Sequence, residues 1–381
     1  MELSKICEYS STRVDSSSLT VENYISTENM MQDKGGVTSA SKVPVEKAVQ
    51  FQKGDILISN IRPYFKKIWL ANKEGGCSSD VLCIRALPGT DSTFLYYLLS
   101  QDAFFDYVMT GVKGSKMPRG DKSQIMNWNV ELPRLEDQQR VAAILKCFDD
   151  KIELNNRINH NLEQQAQALY KSWFVDFEPF KGGKFVESEL GLIPEGWRVG
   201  TLSDVSSIIM GQSPSGASFN TNGNGVVFFQ GRTDFGDRYP SARLYTTEPT
   251  RYAERNSVLL SVRAPVGDIN IAKEKCCIGR GIAAIFGAYQ SFVYYTVNSL
   301  KTTLNRYNGE GTVFGSINKK DLESLTILVP PTCLQESYNT LVKNLDDEMF
   351  RRSLECESLM RMRDMLLPKL MSGDLSINDL H

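Results

Sequence analysis

Two kinds of hydrophobic pattern alternate along the chain, and each of them occurs twice. Short apolar runs separated by turn residues, as in β-strands, fill residues 1–133 and again residues 197–331. Each set is followed by a long segment whose apolar residues recur at alternating steps of four and three, which indicates a helix with one apolar stripe. The pattern therefore predicts a globule, a helix, a second globule and a second helix.

The two globules follow one sequence pattern, offset by about 200 residues. Residues 54–63, GDILISNIRP, match residues 256–265, NSVLLSVRAP, and LSKI at residues 3–6 matches LSDV at residues 202–205. In both copies a further apolar run, a Tyr- and Leu-rich helical segment and a strand ending in proline follow in the same order. Such an internal repeat indicates that one fold is built twice.

The two long segments carry heptad stripes. In the first segment the stripe contains Val141, Leu145, Phe148, Ile152, Asn155, Asn159, Leu162, Ala166, Leu169 and Trp173. In the second it contains Tyr338, Val342, Leu345, Met349, Arg352, Cys356, Leu359, Arg363, Leu366 and Leu370. Two helices with one stripe each pack against one another, and the order of the four segments favours an antiparallel pair. The predicted fold class is mixed α/β (α+β), with two repeated domains separated by an antiparallel coiled coil.

Polar residues interrupt both stripes near their middles. Asn155 and Asn159 stand in the first helix and Arg352 and Cys356 in the second, flanked by Phe148, Ile152, Leu345 and Met349. Buried polar residues in a helix pair set its register at the expense of stability. We interpret these eight residues as a spacer that fixes register; alternatively, the polar ones face solvent where the stripe loosens.

Changes in composition divide the chain into five segments. Residues 179–196 contain most of the glycines and prolines between the first helix and the second globule, which predicts a linker that turns the chain around. The predicted segments are domain 1 at 1–133, helix 1 at 134–178, the linker at 179–196, domain 2 at 197–331, and helix 2 with the tail at 332–381.

Composition narrows the possible classes of protein. The 381 residues have a formal net charge of −2, and no apolar run approaches the ~18 residues of a membrane span. We therefore expect a cytoplasmic protein. Eight cysteines without a CxxC pair and only two histidines argue against a zinc site and a disulfide framework, so we expect no metal site.

Basic residues cluster in the loops that follow predicted strands. Domain 1 contributes the basic residues Arg62, Lys66, Lys67, Lys113, Lys116, Arg119 and Lys122, with the aromatic Tyr64 among them. Domain 2 contributes Arg232, Arg263, Arg280, Arg306, Lys319 and Lys320. Such side chains reach phosphates, and an arginine fork bonds guanine O6 and N7 together. We predict that these residues bind DNA; for any one of them the alternative is an ordinary solvated surface cation.

The sequence lacks the usual motifs of catalysis. It has no GxxxxGK[ST] phosphate loop, no GxSxG elbow, no HExxH helix, no Asn-Pro-Pro-Tyr motif and no nuclease-like PD…ExK. We therefore predict a chain without catalytic residues and without a cofactor of its own.

Three stretches carry a resemblance to a known family. They are LPRLEDQQRVA at residues 132–142, followed by DDKI at 149–152; LIPEGW at 192–197, followed by LSDV; and MLLPKLMSGDL at 365–375. In their order, and together with the repeat, they resemble the specificity subunit (HsdS) of type I restriction-modification systems over essentially the whole chain.

The resemblance implies a non-catalytic DNA-recognition subunit of a phage-defence complex. Each target-recognition domain would read one half of a bipartite, asymmetric site in double-stranded DNA, while the helices set the gap. The implied partners are two modification (methyltransferase) subunits, which bind S-adenosylmethionine and methylate adenine, and restriction/translocase subunits, which use ATP and Mg²⁺. No membrane partner is implied.

Three other functions stay open at this stage. The chain could serve a methyltransferase alone or another phage-defence system, which its own sequence does not distinguish. A paired-domain scaffold that binds protein or carbohydrate would share the architecture but would not need the basic loops. A stand-alone enzyme is the remaining alternative.

Overall fold

A computed structural model of the protein describes residues 1–43, 45–114, 116–263, 265–308 and 315–375. The chain divides into two compact units: one consists of residues 1–156 with the segment from Ser353 onwards, and the other of residues 157–352. The division falls inside both long helices, so each unit contains one globule and part of each helix. The end of the predicted tail, residues 376–381, lies outside the described residues.

The first unit begins with eight short strands and three short helices. The strands are β1 (Cys7–Tyr9), β2 (Arg13–Val14), β3 (Tyr24–Ile25), β4 (Ala48–Phe51), β5 (Ile56–Ser59), β6 (Ile68–Leu70), β7 (Gly75–Cys77) and β8 (Val81–Ala86). The helices are α1 (Ser92–Leu99), α2 (Asp102–Thr110) and α3 (Lys122–Met126), and the first long helix, α4, spans Leu135–Phe174.

The second unit follows a similar order of strands and helices and adds further strands. Its strands are β9 (Phe185–Ser188), β10 (Gly191–Pro194), β11 (Arg198–Thr201), β12 (Ser207–Met210), β13 (Phe219–Asn220), β14 (Val226–Phe229), β15 (Tyr245–Thr246), β16 (Tyr252–Ala253), β17 (Val258–Val262), β18 (Val266–Ile271), β19 (Cys276–Ile278), β20 (Ile282–Phe286) and β21 (Thr326–Val329). Its helices are α5 (Gln290–Ser299), α6 (Lys301–Asn305) and α7 (Lys319–Glu323), and the second long helix, α8, spans Thr332–Ser372.

One antiparallel sheet has the same strand order in both units. It runs β1-β8-β5-β6 in the first unit and β12-β20-β17-β18 in the second. The register also repeats, because Ile56 lies opposite Ile84 and Val258 lies opposite Ile285. The central strands β5 and β17 are buried along their whole length, which explains why their sequences are continuous apolar runs rather than alternating ones. The predicted repeat is thus a repeat of this sheet.

A second sheet packs beside the first in each unit and differs between them. Its order is β2-β4-β7-β3 in the first unit and β13-β15-β14-β19-β16 in the second. Three strands correspond, since β3 and β14 run parallel to β7 and β19, and β4 and β16 run antiparallel to them. The additional strands lie on opposite edges: β2 extends β4, whereas β15 and β13 extend β14.

The hydrophobic core of each globule continues into the long helices. In the first unit Phe94 of α1 lies in one cluster with Leu145 of α4 and Leu370 of α8. In the second unit Phe292 of α5 lies in one cluster with Ala166 and Tyr338. Full burial of one such side chain stabilises the fold by ~1.5–3 kcal/mol, so the helix segments belong energetically to the globules that they contact.

Within each unit the helix segments run antiparallel. In the first unit Arg363 contacts Asp149 at 2.6 Å, and the Asn155 amide donates to Glu355 at 2.8 Å. Residue numbers rise along α4 while those of the partners in α8 fall, as in an antiparallel pair. In the second unit the Tyr338 hydroxyl donates to the Ala166 carbonyl at 3.0 Å. The predicted α/β class with antiparallel long helices is confirmed.

The eight spacer positions lie on the inner side of these helix segments. Ile152, Asn155, Met349 and Cys356 are buried, and Phe148, Asn159, Leu345 and Arg352 are half-buried. Asn155 is fully buried and bonded to Glu355, which means that this polar position does not face water.

The segment predicted as a linker is folded. Residues 185–194 form the β9–β10 hairpin, whose turn has Gly191 at φ +95°, a conformation that favours glycine. Ile193 and Trp197 are buried in the core of the second unit, and the Trp197 ring meets Phe177 with the two ring centroids 5.3 Å apart. Gly191 marks this tight turn, while Ile193 on the same strand contributes to the core.

None of the helices in the described part of the chain combines the length and the apolarity that a bilayer crossing requires.

Candidate nucleic-acid interface

The strand pairing brings several loops to one end of the first unit's sheets. Because β3 and β7 run parallel, the chain leaves both strands at the same end of the sheet. The end of β5 lies there too, since the Asn60 amide donates to the Asp80 carbonyl at 2.9 Å. Residues 60–67 form the loop that follows β5. A hydrogen bond of 3.1 Å, which the Ser59 amide donates to the Lys67 carbonyl, closes this loop.

Backbone hydrogen bonds hold the 60–67 loop on two sides. The Arg62 amide donates to the Pro118 carbonyl at 2.8 Å. On the other side the Asp33 amide donates to the Phe65 carbonyl at 2.9 Å, and the Lys34 amide to the Lys66 carbonyl at 3.0 Å. Three loops distant in sequence thus form one surface, which we call basic surface 1 and which contains residues 33–34, 60–67, 113–114 and 116–119.

Basic surface 1 contains left-handed residues that are not glycine. Asp33, Lys34, Arg62 and Lys66 have φ between 48° and 64°. Such a backbone conformation costs on the order of 1 kcal/mol for each residue and persists only where its surroundings enforce it. The cross-loop hydrogen bonds meet this requirement, so the surface is held in a defined shape.

The lysines of the 60–67 loop are tied down while Arg62 is not. Lys66 and Lys34 reach the Asp102 carboxylate at 2.9 and 3.4 Å, and these contacts, Lys66 first, lower the pKa of Asp102. The Lys67 ammonium donates to the Thr27 carbonyl at 2.7 Å, and burial together with repulsion from Arg62 lowers the pKa of Lys67. Arg62 is exposed and has no acidic partner among the described residues, so its positive charge is available to a bound anion.

The other predicted cations of domain 1 differ in their surroundings. Lys113 and Arg119 exchange backbone hydrogen bonds of 2.9 and 3.0 Å, which places Lys116 in the exposed turn between them. The Arg119 guanidinium pairs with Asp80 at 2.9 Å, and Lys113 pairs with Asp121. Lys122 instead lies 5.9 Å from the Tyr9 ring on the edge strand β1. Basic surface 1 therefore includes all the predicted cations of this domain except Lys122.

Three arginines of the second unit meet at the corresponding strand ends. Because β14 and β19 run parallel, residues 230–232 and 279–280, which follow these strands, lie at the same end of the sheet. The Gly281 amide donates to the Gln230 carbonyl at 3.2 Å, and the Val262 amide donates to the Gly281 carbonyl at 2.9 Å. We call the loops that carry these arginines basic surface 2; its members are Arg232, Arg263 and Arg280.

The members of basic surface 2 differ in their pairing. Arg232 forms an ion pair with Asp268. Arg263 and Arg280 are exposed and have no acidic partner within the described ranges. As in the first unit, some cations are anchored by carboxylates and others are available to an anion.

The remaining cations predicted in domain 2 lie on two short helical segments. Arg306 follows α6, and the Asn308 side chain next to it bonds both backbone groups of Val266, at 2.6 and 3.1 Å, beside basic surface 2. Lys319 and Lys320 begin α7, which packs against β12, and Lys319 approaches Glu323 at 3.5 Å. These two lysines are thus the counterparts of Lys122.

Sequence reasoning missed residues that join the loops and the helices. Lys34 belongs to basic surface 1, but its segment has no counterpart in the repeat that would have marked it. In the first unit Asp149 of α4 binds Arg363 and accepts from Tyr97, both at 2.6 Å. In the second unit Asp346 of α8 binds the buried Arg238 and accepts from Tyr295 at 3.3 Å.

The repeat contains a signal for the carboxylates but not for their cations. Tyr97 and Asp149 align with Tyr295 and Asp346 when the two copies are superposed in sequence. Arg238, however, lies between Ser213 and Tyr252, a divergent segment in which the two copies do not match in sequence. Its burial against Glu163 and Asp346 follows only from the folded structure.

Nothing in the described ranges resembles a metal site: no group of three or more His, Cys, Asp or Glu side chains could hold an ion there.

Comparison with known proteins agrees with this architecture. Residues 1–164 and 194–352 match the family model described as the type I restriction modification DNA specificity domain. A curated relative from Methanocaldococcus jannaschii, named as the MjaX type I restriction enzyme specificity subunit, is 36% identical over 294 residues, 74% of this chain and 68% of the relative. The MjaIX specificity subunit of the same organism is 27% identical over 360 residues, 88% and 82% of the two chains.

A solved structure shares the fold. The chain resembles the type I restriction-modification system S subunit from M. genitalium with a TM-score of 0.58 and 17% sequence identity, covering 97% of this chain and 95% of that one.

Proposed function

This chain belongs to the type I restriction-modification DNA specificity family, and from that premise we propose that it is the DNA sequence-recognition subunit of a type I complex. Each domain reads one half of a bipartite, asymmetric site in double-stranded DNA. The observation that carries the proposal is the pair of basic surfaces, built from different sequences at equivalent strand ends of two copies of one sheet.

The physical argument rests on how DNA is read. Lysines that contact phosphates position a protein, whereas arginine forks in the major groove distinguish guanine from other bases by ~1–3 kcal/mol. Arg62 in surface 1 and Arg263 and Arg280 in surface 2 are exposed and have no carboxylate partner within the described residues. They are our candidates for base contacts, and the carboxylate-paired cations are candidates for shape and phosphate contacts.

For the long helices we propose two tasks: setting the unread gap between the half-sites and docking the methyltransferase and restriction subunits. Leu354, Met362 and Met365 of α8 are exposed apolar residues, with Met365 66% exposed. Exposed apolar side chains on a helix that already buries its inner face suit a protein partner.

In the proposed complex the chemistry belongs to the partners. S-adenosylmethionine, ATP and Mg²⁺ would bind to two modification subunits and to the restriction subunits, and this chain would contribute specificity without catalysis. We propose that this activity takes place in the cytoplasm, together with the host DNA. A complex with a methyltransferase alone is the main alternative, and it differs only in whether cleavage accompanies methylation.

The experiment that tests the recognition role is single-molecule sequencing of adenine methylation in host DNA with the gene intact, deleted and restored. We expect one split, asymmetric motif to vanish on deletion and to return on restoration. An unchanged methylome in cells that express the chain and its methyltransferase would contradict the proposal.

Spacing is tested separately by deleting seven residues from the middle of each long helix. At ~1.5 Å per residue the helices shorten by about 10 Å, so the methylated motif should lose about 3 base pairs of gap. Retention of the original gap by an assembled complex would exclude the spacer role.

A further inference from the structure

In the shared sheet, the loop that joins the central strand β5 to the edge strand β6 is longer than the loop that joins β17 to β18. It comprises residues 60–67 between β5 and β6, whereas residues 263–265 join β17 and β18. In the aligned repeat, Pro63 corresponds to Pro265 and Tyr64 to Val266. Val266 is 2% exposed and begins a strand, but Tyr64 is 47% exposed. The longer loop thus presents an aromatic ring for which the second unit has no equivalent at this position.

The backbone beneath Tyr64 is fixed from both ends. Pro63 is buried, the Phe65 amide donates to the Arg62 carbonyl at 3.0 Å, and the Lys66 amide donates to the Pro63 carbonyl at 2.9 Å. The Tyr64 ring meets the edge of the Phe65 ring with the centroids 4.7 Å apart. A ring held on an ordered loop loses little conformational entropy when it binds, because the ordering is already complete.

The charges around the ring indicate its ligand. Arg62 precedes it and Lys66 and Lys67 follow it, so the exposed ring stands among cations that attract a polyanion. The Tyr64 hydroxyl has no hydrogen-bond partner among the described residues. Aromatic rings set among cations bind nucleic acid by stacking on bases while the cations contact phosphates.

Building on the proposed DNA-recognition function, we propose that Tyr64 stacks on a base of the first half-site and partly unstacks the base step there. The first domain therefore deforms its half-site at one step, and the second domain does not do so from the equivalent position. Because pyrimidine–purine steps unstack most readily, the first half-site would owe part of its sequence preference to such a step rather than to a base contact.

The test uses the full chain assembled with its methyltransferase partner, without S-adenosylmethionine, on duplexes that contain the methylated motif. 2-Aminopurine replaces single bases across both half-sites, omitting the target adenines, and its fluorescence rises when it is unstacked. We expect a rise at one step of one half-site. Tyr64→Ala should abolish the rise and weaken specific binding about tenfold, the lower range of one base–aromatic stack. Tyr64→Phe should retain both properties.

Lys113→Ala is the matched control, because it removes a neighbouring charge and no ring. It should weaken binding yet leave the fluorescence rise at saturating protein. Melting temperatures within about 2 °C of the parent would establish that the exposed Tyr64→Ala site has not altered the fold. Specific binding without any rise, or a rise that survives Tyr64→Ala, would overturn the stacking proposal and leave the recognition function intact. Failure of the assembled complex to prefer the motif would instead refute the recognition function.

Discussion

The two units share one four-stranded sheet and differ in the second sheet and in the loops at the strand ends. The sheets β1-β8-β5-β6 and β12-β20-β17-β18 have one topology and one register, while the second sheets grow on opposite edges and the loops at the strand ends differ in length. A protein that reads two different half-sites needs different side chains in the same orientation to DNA. Variation confined to edges and loops meets this need, because the buried central strands preserve the geometry.

Ion pairs attach each globule to the long helices, and in these pairs the carboxylate is equivalent in the two units while the cation differs. Asp149 and Asp346 occupy equivalent positions, and each accepts a hydrogen bond from a tyrosine of the first short helix of its unit, α1 or α5. Their cations come from different places: Arg363 from α8 in the first unit, and Arg238 from the divergent segment in the second. The divergent segment of the second domain is thus bonded directly to the helices of its unit.

The largest difference between the units is expected from removing these arginines. Arg238 is 9% exposed and bonds both Glu163 and Asp346, so Arg238→Ala leaves two carboxylates uncompensated and should lower the free energy of unfolding by ~3–5 kcal/mol. The Arg363 side chain is 22% exposed, and Arg363→Ala should lower it by ~1–2 kcal/mol because water reaches Asp149. Urea unfolding of both variants measures this. Equal effects would show that the two attachments are energetically alike.

A smaller effect should follow from exchanging residues between β7 and β19. Gly76 corresponds to Cys277, and a Cβ on Gly76 would lie 2.9 Å from side-chain atoms of Val14, Leu19 and Ala48. Gly76→Cys should therefore destabilise by ~1–3 kcal/mol through overpacking. The reverse change, Cys277→Gly, should cost about as much by leaving a cavity.

Gly216→Ala, with open space around its Cβ, is the control for both exchanges and should change stability by less than ~0.5 kcal/mol. Thermal unfolding compares the three variants. If β7 accepts cysteine without loss, the second sheets are less different in packing than their contacts indicate.

Base reading should separate the units cleanly. Arg62→Ala should relax the methylated motif in one half-site and Arg263→Ala in the other, each by ~1–3 kcal/mol of discrimination. Methylome sequencing of strains with each variant measures the relaxation position by position. Uniform weakening at all sequences would instead assign the affected arginine to phosphate contact.

The smallest effect concerns acidity at basic surface 1. Lys66 and Lys34 lower the pKa of Asp102, so their contribution to stability is present above the unfolded pKa of the carboxyl and is lost as pH falls through the lower, folded pKa. Because the Asp102 side chain is 65% exposed, the change should be slight. Asp102→Asn should remove this part of the acid dependence of unfolding. An unchanged acid profile would show that the lysine contacts do not order the loop.

Periodicity predicted much of this architecture, because it depends on the local alternation of apolar and polar residues. The apolar runs at residues 56–59 and 258–262 became the central strands, and the four-and-three spacing became α4 and α8. The 179–196 segment, predicted as a linker that turns the chain around, contains the β9–β10 hairpin, and glycine suits such a tight turn as well as it suits a flexible connection. The burial of Ile193 within this segment depends on long-range contacts, which the local pattern does not show.

The candidate site was only partly accessible from the sequence. Residue type identified Arg62 and Arg263 as cations in loops after strands, but not which cations carry a carboxylate partner. Lys66 and Lys113 looked equivalent to Arg62, and only the positions of Asp102 and Asp121 distinguish them.

By itself the sequence determined the repeat, the two domains, the long helices and the family, because each is recorded in local spacing or in contiguous motifs. Tertiary structure alone decided which loops share a surface, which arginines are free of acidic partners among the described residues, and that Arg238 is buried against two carboxylates. The physical reason is that parallel strand pairing and ion pairs join residues far apart in the chain, and no local pattern encodes those distances.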